Sequence, residues 1–312
     1  MTVRITTLAE AEAYVASVGL DVAAVAVVVA EALGEDLGGR GVLPTGAGRG
    51  VDVTSVATIP ADAVARGELV TRRPGVVAGL PVAAYVVAVV LTSVVESPGP
   101  FTVEVAAQEG DRVGTGAVLI RVEGGTRALL TAERVALNLL TLTSGVATAT
   151  RAWVDALAGT GTQVRDTRKT TPGLRMLQKY AVRVGGGVNH RMSLADAALV
   201  KDNHVLAAGG VVEAYERVRA MFPDLWVQVE VTSAEQARQV VDAGATDVLL
   251  DNMSLAQMTE VVGALKGRAQ FEASGGLTLA SAASVAATGV DFIAVGAITH
   301  SAPILDIALD LV

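Results

Sequence analysis

From Thr131 onward the chain alternates short apolar, β-rich runs with longer segments of helical period. The runs fall at Gln163 to Asp166, Ala197 to Lys201, Val227 to Val231, Asp247 to Asp251, Gln270 to Ala273 and Asp291 to Val295. The segments between them often open at Ser, Thr or Asp, the residues whose side chains cap helix N-termini. This pattern predicts a βαβ series with a parallel sheet. The first 130 residues lack a regular period. There the pattern predicts a helix over 8–33, strands at Gly67 to Arg72 and Phe101 to Ala107, a glycine-turned hairpin arm at 113–124 and a buried helix starting near Pro81. A mixed α/β domain results.

The ends of the later runs carry the chemistry. Lys201, Glu230, Asp251, Ser274 and Gly296 follow one another at intervals of 29, 21, 23 and 22 residues, each at or near the end of its strand. In a parallel β/α barrel the strand C-termini converge on one mouth, where active sites of that architecture sit, so residues at this recurring position should meet in space. Strand ends are also simply where chains turn polar. That reading accounts for Ser274 and Gly296 but poorly for Lys201 and Glu230 inside apolar runs.

The chain has 312 residues, 51% of them apolar, and no cysteine, which excludes disulfides and thiolate chemistry. At this length folding buries about three quarters of the extended chain's surface, enough for a full core. A formal net charge of −8 repels nucleic acid and anionic membrane unless the positive charges are gathered somewhere. They are gathered: between Arg165 and Arg191 stand Arg165, Arg168, Lys169, Arg175, Lys179, Arg183 and Arg191, with His190 and a single acid, Asp166. Guanidinium forks and ammonium groups at this density suit a small polyanion. Nucleic acid would call for aromatic platforms as well, and this segment offers only Tyr180, so no nucleic-acid partner is expected. Arg175, Lys179 and Arg183 stand at helical intervals and are read equally well as a solvated helix face.

Residues 74–95 carry no charge over 22 positions, the length of a membrane span. Pro74, Gly75, Gly79 and Pro81 break the first third and leave an apolar run only from Val82 to Leu91, so no membrane partner is expected. Arg4 is followed by Glu10 and Glu12 before any apolar run, the wrong order for a secretory signal, and a cytoplasmic location is the expectation. Residues 34–50, with seven glycines in 17 positions, read as a flexible loop, and GAGRG at 46–50 lacks the Gly-Lys-Ser/Thr ending of a phosphate-binding P-loop.

Glu230 and Asp251 sit at consecutive strand ends. Two carboxylates aimed into a positive pocket hold a hard cation such as Mg2+ together with substrate phosphates, or they neutralise Lys169 and Lys201; both readings stay open. Ser274, Gly275 and Gly276 precede a helix near Thr278, and Gly296 precedes another short segment. Glycines there let backbone N–H groups approach a phosphate, and the last strand-to-helix loops of a barrel are its common phosphate site. His190, in the loop GGGVNHR, reads as a hydrogen-bonding partner of an anionic substrate.

The wording of TAERVALNLLTLTSGVATAT (131–150), RDTRKTTPGLRMLQKYAVRVGGGVNHRMSLADAALVKDNHV (165–205), VEV (229–231), VLLDNM (248–253), EASGGL (272–277) and FIAVGAITHSAPILDIALDL (292–311) resembles quinolinate phosphoribosyltransferase. The likeness extends to EDLG at 35–38, DVTS at 52–55 and GVVAGL at 75–80, and so covers nearly the whole chain. It implies an N-terminal α/β sandwich domain over 1–130, an open α/β barrel over 131–297, a C-terminal segment 298–312 packing back on the first domain, and a homodimer. The implied reaction transfers phosphoribosyl from phosphoribosyl pyrophosphate to quinolinate with loss of carbon dioxide, giving nicotinate mononucleotide and pyrophosphate. The resemblance further implies that Arg134 (from a partner subunit), Arg168, His190, Arg191 and Lys201 surround the quinolinate carboxylates. It implies that Lys169 and Lys201 reach the pyrophosphate, that Glu230 and Asp251 hold the ribose hydroxyls and magnesium, and that Ser274, Gly275, Gly276 and Gly296 bind the 5′-phosphate; Arg175 and Lys179 are associated with the substrate pocket. Two features depart from the family pattern: Thr232 stands where an acid is expected after VEV, and the insert at 38–50 lengthens a loop. A related transferase acting on another pyridine or small acid, a barrel using Lys201 for Schiff-base chemistry, and an RNA-binding module are the remaining alternatives.

Overall fold

The computed structural model describes residues 3–38 and 50–312, and the chain divides into two compact units, Met1–Thr148 with Pro303–Val312, and Ala149–Ala302. Most of the glycine-rich stretch at 34–50, including nearly all of GAGRG, lies outside the described residues.

The first unit opens with β1 (Val3–Ile5), α1 (Leu8–Ser17), α2 (Val22–Asp36) and α3 (Val53–Thr58). The single helix expected over 8–33 is therefore two. Gly19 takes a left-handed φ of 76°, which stops the first, and the Asp21 carboxylate accepts the N–H groups of Ala23 and Ala24, which starts the second. There follow β2 (Val64–Thr71), β3 (Gly75–Val76), α4 (Leu80–Val89), β4 (Thr102–Val105), β5 (Arg112–Val113), β6 (Val118–Gly125) and α5 (Thr126–Ala156). The expected arm at 113–124 is not one element: β5 pairs with β3, whereas β6 lies between β2 and β4. The uncharged stretch at 74–95 is core. α4 is buried along almost its whole length and packs against α1 and β4, as an apolar helix without a polar face must. Among the described residues no single helix is long and apolar enough to cross a membrane; α1 and α2 together reach that length and composition but are bent by 119°.

The second unit is the expected alternation: β7 (Gln163–Arg165), α6 (Arg175–Val184), β8 (Ala198–Val200), α7 (Asp202–Ala208), α8 (Val211–Met221), β9 (Val227–Val231), α9 (Ala234–Asp242), β10 (Asp247–Asp251), α10 (Leu255–Leu265), β11 (Gln270–Ser274), α11 (Ala282–Ala286), β12 (Phe292–Ala294) and α12 (Ala297–His300). All six strands pair in parallel in the order β7-β12-β11-β10-β9-β8, with β7 and β8 as free edges, so the barrel is open. The last strand, β13 (Ile307–Leu311), belongs to the first unit and runs antiparallel to β2, completing a sheet of order β1-β4-β6-β2-β13.

The change of unit falls at 148/149 and not at 130/131, because α5 continues without a break to Ala156 and its first two thirds pack into the first unit. Thr148 Oγ1 accepts the Val76 N–H at 2.8 Å and Ser144 Oγ the Ala78 N–H at 3.1 Å, which ties the middle of α5 to the β3–α4 connection. The return to the first unit likewise starts at Pro303, since residues 297–300 are still a helix of the barrel.

Candidate active site

Side chains alternate faces along a strand, so Gln228 and Glu230 share a face of β9, Leu249 and Asp251 of β10, and Glu272 and Ser274 of β11. Parallel register places Leu249 opposite both Glu230 and Glu272. The result is a cavity of about 410 Å3 at the strand C-termini, lined among others by Arg168, Lys169, His190, Arg191, Lys201, Glu230, Asp251 and Ser274. Residues spread over more than 100 positions of sequence thus meet in one place.

The cations stand without full compensation. Lys201 follows β8 and is exposed; its main-chain N–H donates to His204 Nδ1 at 3.0 Å, which fixes the turn into α7. Arg191 is held on one side by donating to the Ala197 carbonyl at 2.8 Å. Burial pushes its guanidinium below the usual range, the Arg168 charge pushes the same way, and Asp196 opposes both. Two guanidinium groups that line one cavity and repel each other electrostatically suit an anion bound between them. Lys169 lies in a tied loop: its N–H donates to Thr167 Oγ1 at 3.0 Å, and its carbonyl accepts the hydroxyl of the buried Thr299 at 2.8 Å. Gln178, fully buried on α6, extends this tie by donating to the Thr299 carbonyl at 2.8 Å and accepting the Thr171 N–H at 2.8 Å.

Glu230 has its carboxyl raised above the usual range, first by burial and then by the Asp251 and Asp202 charges, with Lys201 and Lys169 pulling it back. The acids and lysines of the rim therefore interact, as either sequence reading of Glu230 and Asp251 requires. At the end of β11, Gly275 has a φ of 102°, and a Cβ there would collide with the Asn252 side chain. Asn252, itself at a positive φ of 52°, donates its N–H to the Ser274 carbonyl at 2.9 Å and its Nδ2 to Asp251 at 2.9 Å. The β10 and β11 loops are locked together, and the glycine is obligatory. The expected helix near Thr278 is a short turn over Leu279–Ser281, capped by Thr278, that leads into α11. Gly296 approaches the cavity: a Cβ there would lie 3.1 Å from Lys169 Cδ and 3.2 Å from the His300 ring.

Three sequence expectations need correction. Lys179 lies outside the cavity lining and is the largest wholly buried side chain. Its ammonium pairs with the equally buried Asp166 and donates to the His190 carbonyl at 2.9 Å. Burial pushes Asp166 up and Lys179 down, and their close contact draws both back toward the ionised pair. Arg175 also lies outside the lining; it spans Thr170 Oγ1 at 3.0 Å and the Met192 carbonyl at 3.0 Å, bracing two loops. Arg134, expected from a partner subunit, is an exposed residue of α5 in the first unit, 3.3 Å from Glu133. His190 does line the cavity, yet both ring nitrogens are used within the protein: Nε2 meets Gln228 Oε1 at 2.7 Å and Nδ1 accepts the Arg191 N–H at 2.7 Å. Burial, the largest influence, keeps this imidazole below its usual value.

Three buried polar residues beneath the rim were not singled out from sequence as site residues. Arg165 donates to Glu272 at 2.7 Å and stacks on Phe292 with its guanidinium carbon 3.4 Å from the ring centre, and Gln228 donates to the same Glu272 oxygen at 2.9 Å. A signal existed for two of them: Gln228 and Glu272 lie two residues before Glu230 and Ser274, on the same strand faces. A separate hollow on the sheet of the first unit, lined by Arg66, Glu68, Arg121 and Glu123, has its charges matched in surface ion pairs at 3.0 and 3.1 Å.

Comparison with known proteins places the chain. The model of the quinolinate phosphoribosyl transferase N-terminal domain matches residues 52–144 and that of the C-terminal domain residues 146–310. The chain is 51% identical over 265 residues to the nicotinate-nucleotide pyrophosphorylase [carboxylating] of Mycobacterium leprae, covering 84% of this chain and 92% of that protein. It is 40% identical over 247 residues to the probable enzyme of the same name from Synechocystis, covering 78% and 81%. Among solved structures, NadC from Streptococcus pyogenes superposes with a TM-score of 0.82 at 36% identity over 91% of this chain and 95% of that one. The Ehrlichia chaffeensis nicotinate-nucleotide pyrophosphorylase does so at 0.83 and 33% identity over 92% and 98%. The chain belongs to the quinolinate phosphoribosyltransferase family.

Proposed function

We propose that this enzyme joins quinolinate to the ribosyl carbon of phosphoribosyl pyrophosphate, releasing pyrophosphate and carbon dioxide and leaving nicotinate mononucleotide. The observation that carries the assignment to this cavity is its charge pattern: Arg168, Arg191, Lys169 and Lys201 on one rim with Glu230 and Asp251. Two anionic substrates can lie there against each other.

Arg168 and Arg191 receive the pyridine dicarboxylate, with Lys201 near its edge, and Arg134 is supplied by a second subunit of a homodimer. The quinolinate ring nitrogen attacks the anomeric carbon as its bond to pyrophosphate oxygen breaks. Lys169 and Lys201 take up the charge that grows on the leaving group. Such preorganised donors act on charge that develops in the transition state, and each typically contributes about 3 kcal/mol, near 100-fold in rate. The positive charge on the quaternised ring nitrogen then stabilises the electron pair left on the adjacent ring carbon as its carboxylate departs as carbon dioxide, and that carbon takes up a proton from solvent. No protein nucleophile is needed. Ser274, with the backbone at Gly275, Gly276 and Gly296, receives the 5′-phosphate.

Glu230 and Asp251 fit a magnesium ion, because the Asp251 charge opposes ionisation of Glu230 and a cation would relieve it, and this metal needs only one or two protein carboxylates when substrate phosphates complete its shell. Bound there, it would neutralise phosphate charge. Thr232 does not add to that pair: its hydroxyl and N–H both donate to Gln236. A cytoplasmic location, where thiols stay reduced and disulfides are rare, accords with a chain that has no cysteine.

Phosphorus NMR tests the assignment. Pyrophosphate should appear when the enzyme, the ribosyl donor and a divalent cation are given quinolinate, and not when nicotinate replaces it. Equal release with nicotinate would overturn the choice of acceptor.

A further inference from the structure

The interior of a β/α barrel is ordinarily filled by layers of branched apolar side chains. Here the layer beneath the rim holds Arg165, Gln228 and Glu272, all at most 8% exposed. Such a departure from a hydrophobic core is expected where function requires it. Glu272 is also only half satisfied. Its Oε2 accepts from both Arg165 and Gln228, whereas Oε1 is buried and has no partner among the described residues.

The chain of bonds has a direction. An ionised carboxylate only accepts, so Gln228 must turn its NH2 toward Glu272 and its carbonyl oxygen toward His190. His190 Nε2 must then carry the hydrogen, which leaves Nδ1 as an acceptor for the Arg191 N–H. The rest of His190 is fixed as well: its N–H donates to Asp166 at 2.8 Å, and its carbonyl accepts Lys179. The ring packs edge-on against Trp226 at 5.3 Å. Arg191, whose side chain enters the cavity, therefore hangs from a histidine whose tautomer is set two residues away in the bond chain.

We propose that Gln228 is a positioning residue for quinolinate: anchored by Glu272, its amide holds His190 in the Nε2–H form and thereby sets the main chain that presents Arg191 to the substrate. This rests on reading the cavity as a quinolinate site. A merely space-filling Gln228 would affect both substrates alike. A positioning role is confined to the pyridine side, because Lys169, Asp251 and Ser274 lie on other strands and loops and Glu230, though on β9 with Gln228, takes no part in the bond chain to His190.

The test combines kinetics with nitrogen NMR of enzyme labelled at its three histidines. Gln228→Leu keeps the volume and leaves the Arg165–Glu272 pair intact. It should raise the KM for quinolinate on the order of tenfold, in line with the loss of an outer hydrogen-bond partner, while the KM for phosphoribosyl pyrophosphate and kcat stay within about twofold. The His190 signal should lose its wild-type pattern, because the Nε2–H is left without its acceptor. Glu272→Gln keeps an acceptor for Gln228 and should retain that pattern, with quinolinate KM within about threefold of wild type. Should Gln228→Leu keep the wild-type pattern and KM, or shift both KM values and kcat together, the proposal fails. If the wild-type enzyme does not use quinolinate at all, the assignment of substrate fails instead, and the NMR pattern separately reports whether Gln228 sets the tautomer.

Discussion

Lys179→Met separates a structural lysine from a substrate-binding one. Methionine nearly matches the aliphatic stem, so the packing around α6 changes little, but Asp166 is left as a carboxylate with no exposed surface and no cation. Removing one partner of a buried ion pair typically costs 3–5 kcal/mol. Two bonds to Asp166 survive, from the His190 N–H at 2.8 Å and Asn189 Nδ2 at 2.6 Å, which places the expected loss at the lower end, about 3 kcal/mol. Urea unfolding of the second unit, followed by fluorescence of Trp226 and Trp153, should show that loss as a lower midpoint at unchanged slope. Adding Asp166→Asn to Lys179→Met should recover at least half of it, because the amide removes the stranded charge yet still accepts the His190 N–H. Once the protein is held folded at low temperature, the KM for the ribosyl donor should be near wild type. A variant that unfolds at the wild-type midpoint while its quinolinate KM alone rises steeply would refute the buried-pair reading and return Lys179 to the substrate.

Other expectations follow from the rim. Lys201→Ala should abolish detectable turnover while leaving the circular dichroism spectrum and unfolding midpoint unchanged, since Lys201 is exposed and its N–H bond to His204 is made by the backbone; turnover near wild type would remove it from the mechanism. Gly296→Ala should cost little stability, but the added methyl displaces Lys169 by a few tenths of an ångström, and the KM for phosphoribosyl pyrophosphate should rise several-fold; an unchanged value would place Lys169 away from that substrate. Glu230 is held above its ordinary 4.5, so the acid limb of kcat/KM should lie above that pH, and Asp202→Asn, which removes a charge that raises it, should bring the limb down. His190 is depressed below its ordinary 6.5: the unfolded chain binds the proton first as pH falls, so this group's contribution to stability is complete above 6.5 and is lost as pH drops through the folded value. Stability measured between pH 7.5 and 5 should therefore fall less in His190→Gln than in wild type, by at most about 1.4 kcal/mol per pH unit.

The rim was legible because strand ends repeat. A polar residue closing successive apolar runs needs only the parallel-barrel rule to be gathered at one mouth, and Lys201, Glu230, Asp251 and Ser274 do line one cavity. The layer below was readable in principle, since Gln228 and Glu272 stand two positions before Glu230 and Ser274, but their partners depend on the open barrel's strand order, which alternation alone does not contain. Lys179 was obscured for a different reason. Spacing puts Arg175, Lys179 and Arg183 on one helix, yet whether that stripe faces solvent depends on what packs against it; here Arg183 is exposed and Lys179 meets Asp166. The break between α1 and α2 was written in the Gly19 and Asp21 pair and hidden by the apolar residues on either side.

The central claim is that two anions react with each other at one barrel mouth. Quinolinate labelled at the carboxylate next to the ring nitrogen reports this directly: labelled carbon dioxide should be released only when enzyme, phosphoribosyl pyrophosphate and a divalent cation are all present, in one-to-one proportion with pyrophosphate. Release of label without the ribosyl donor, or pyrophosphate without label, would contradict it.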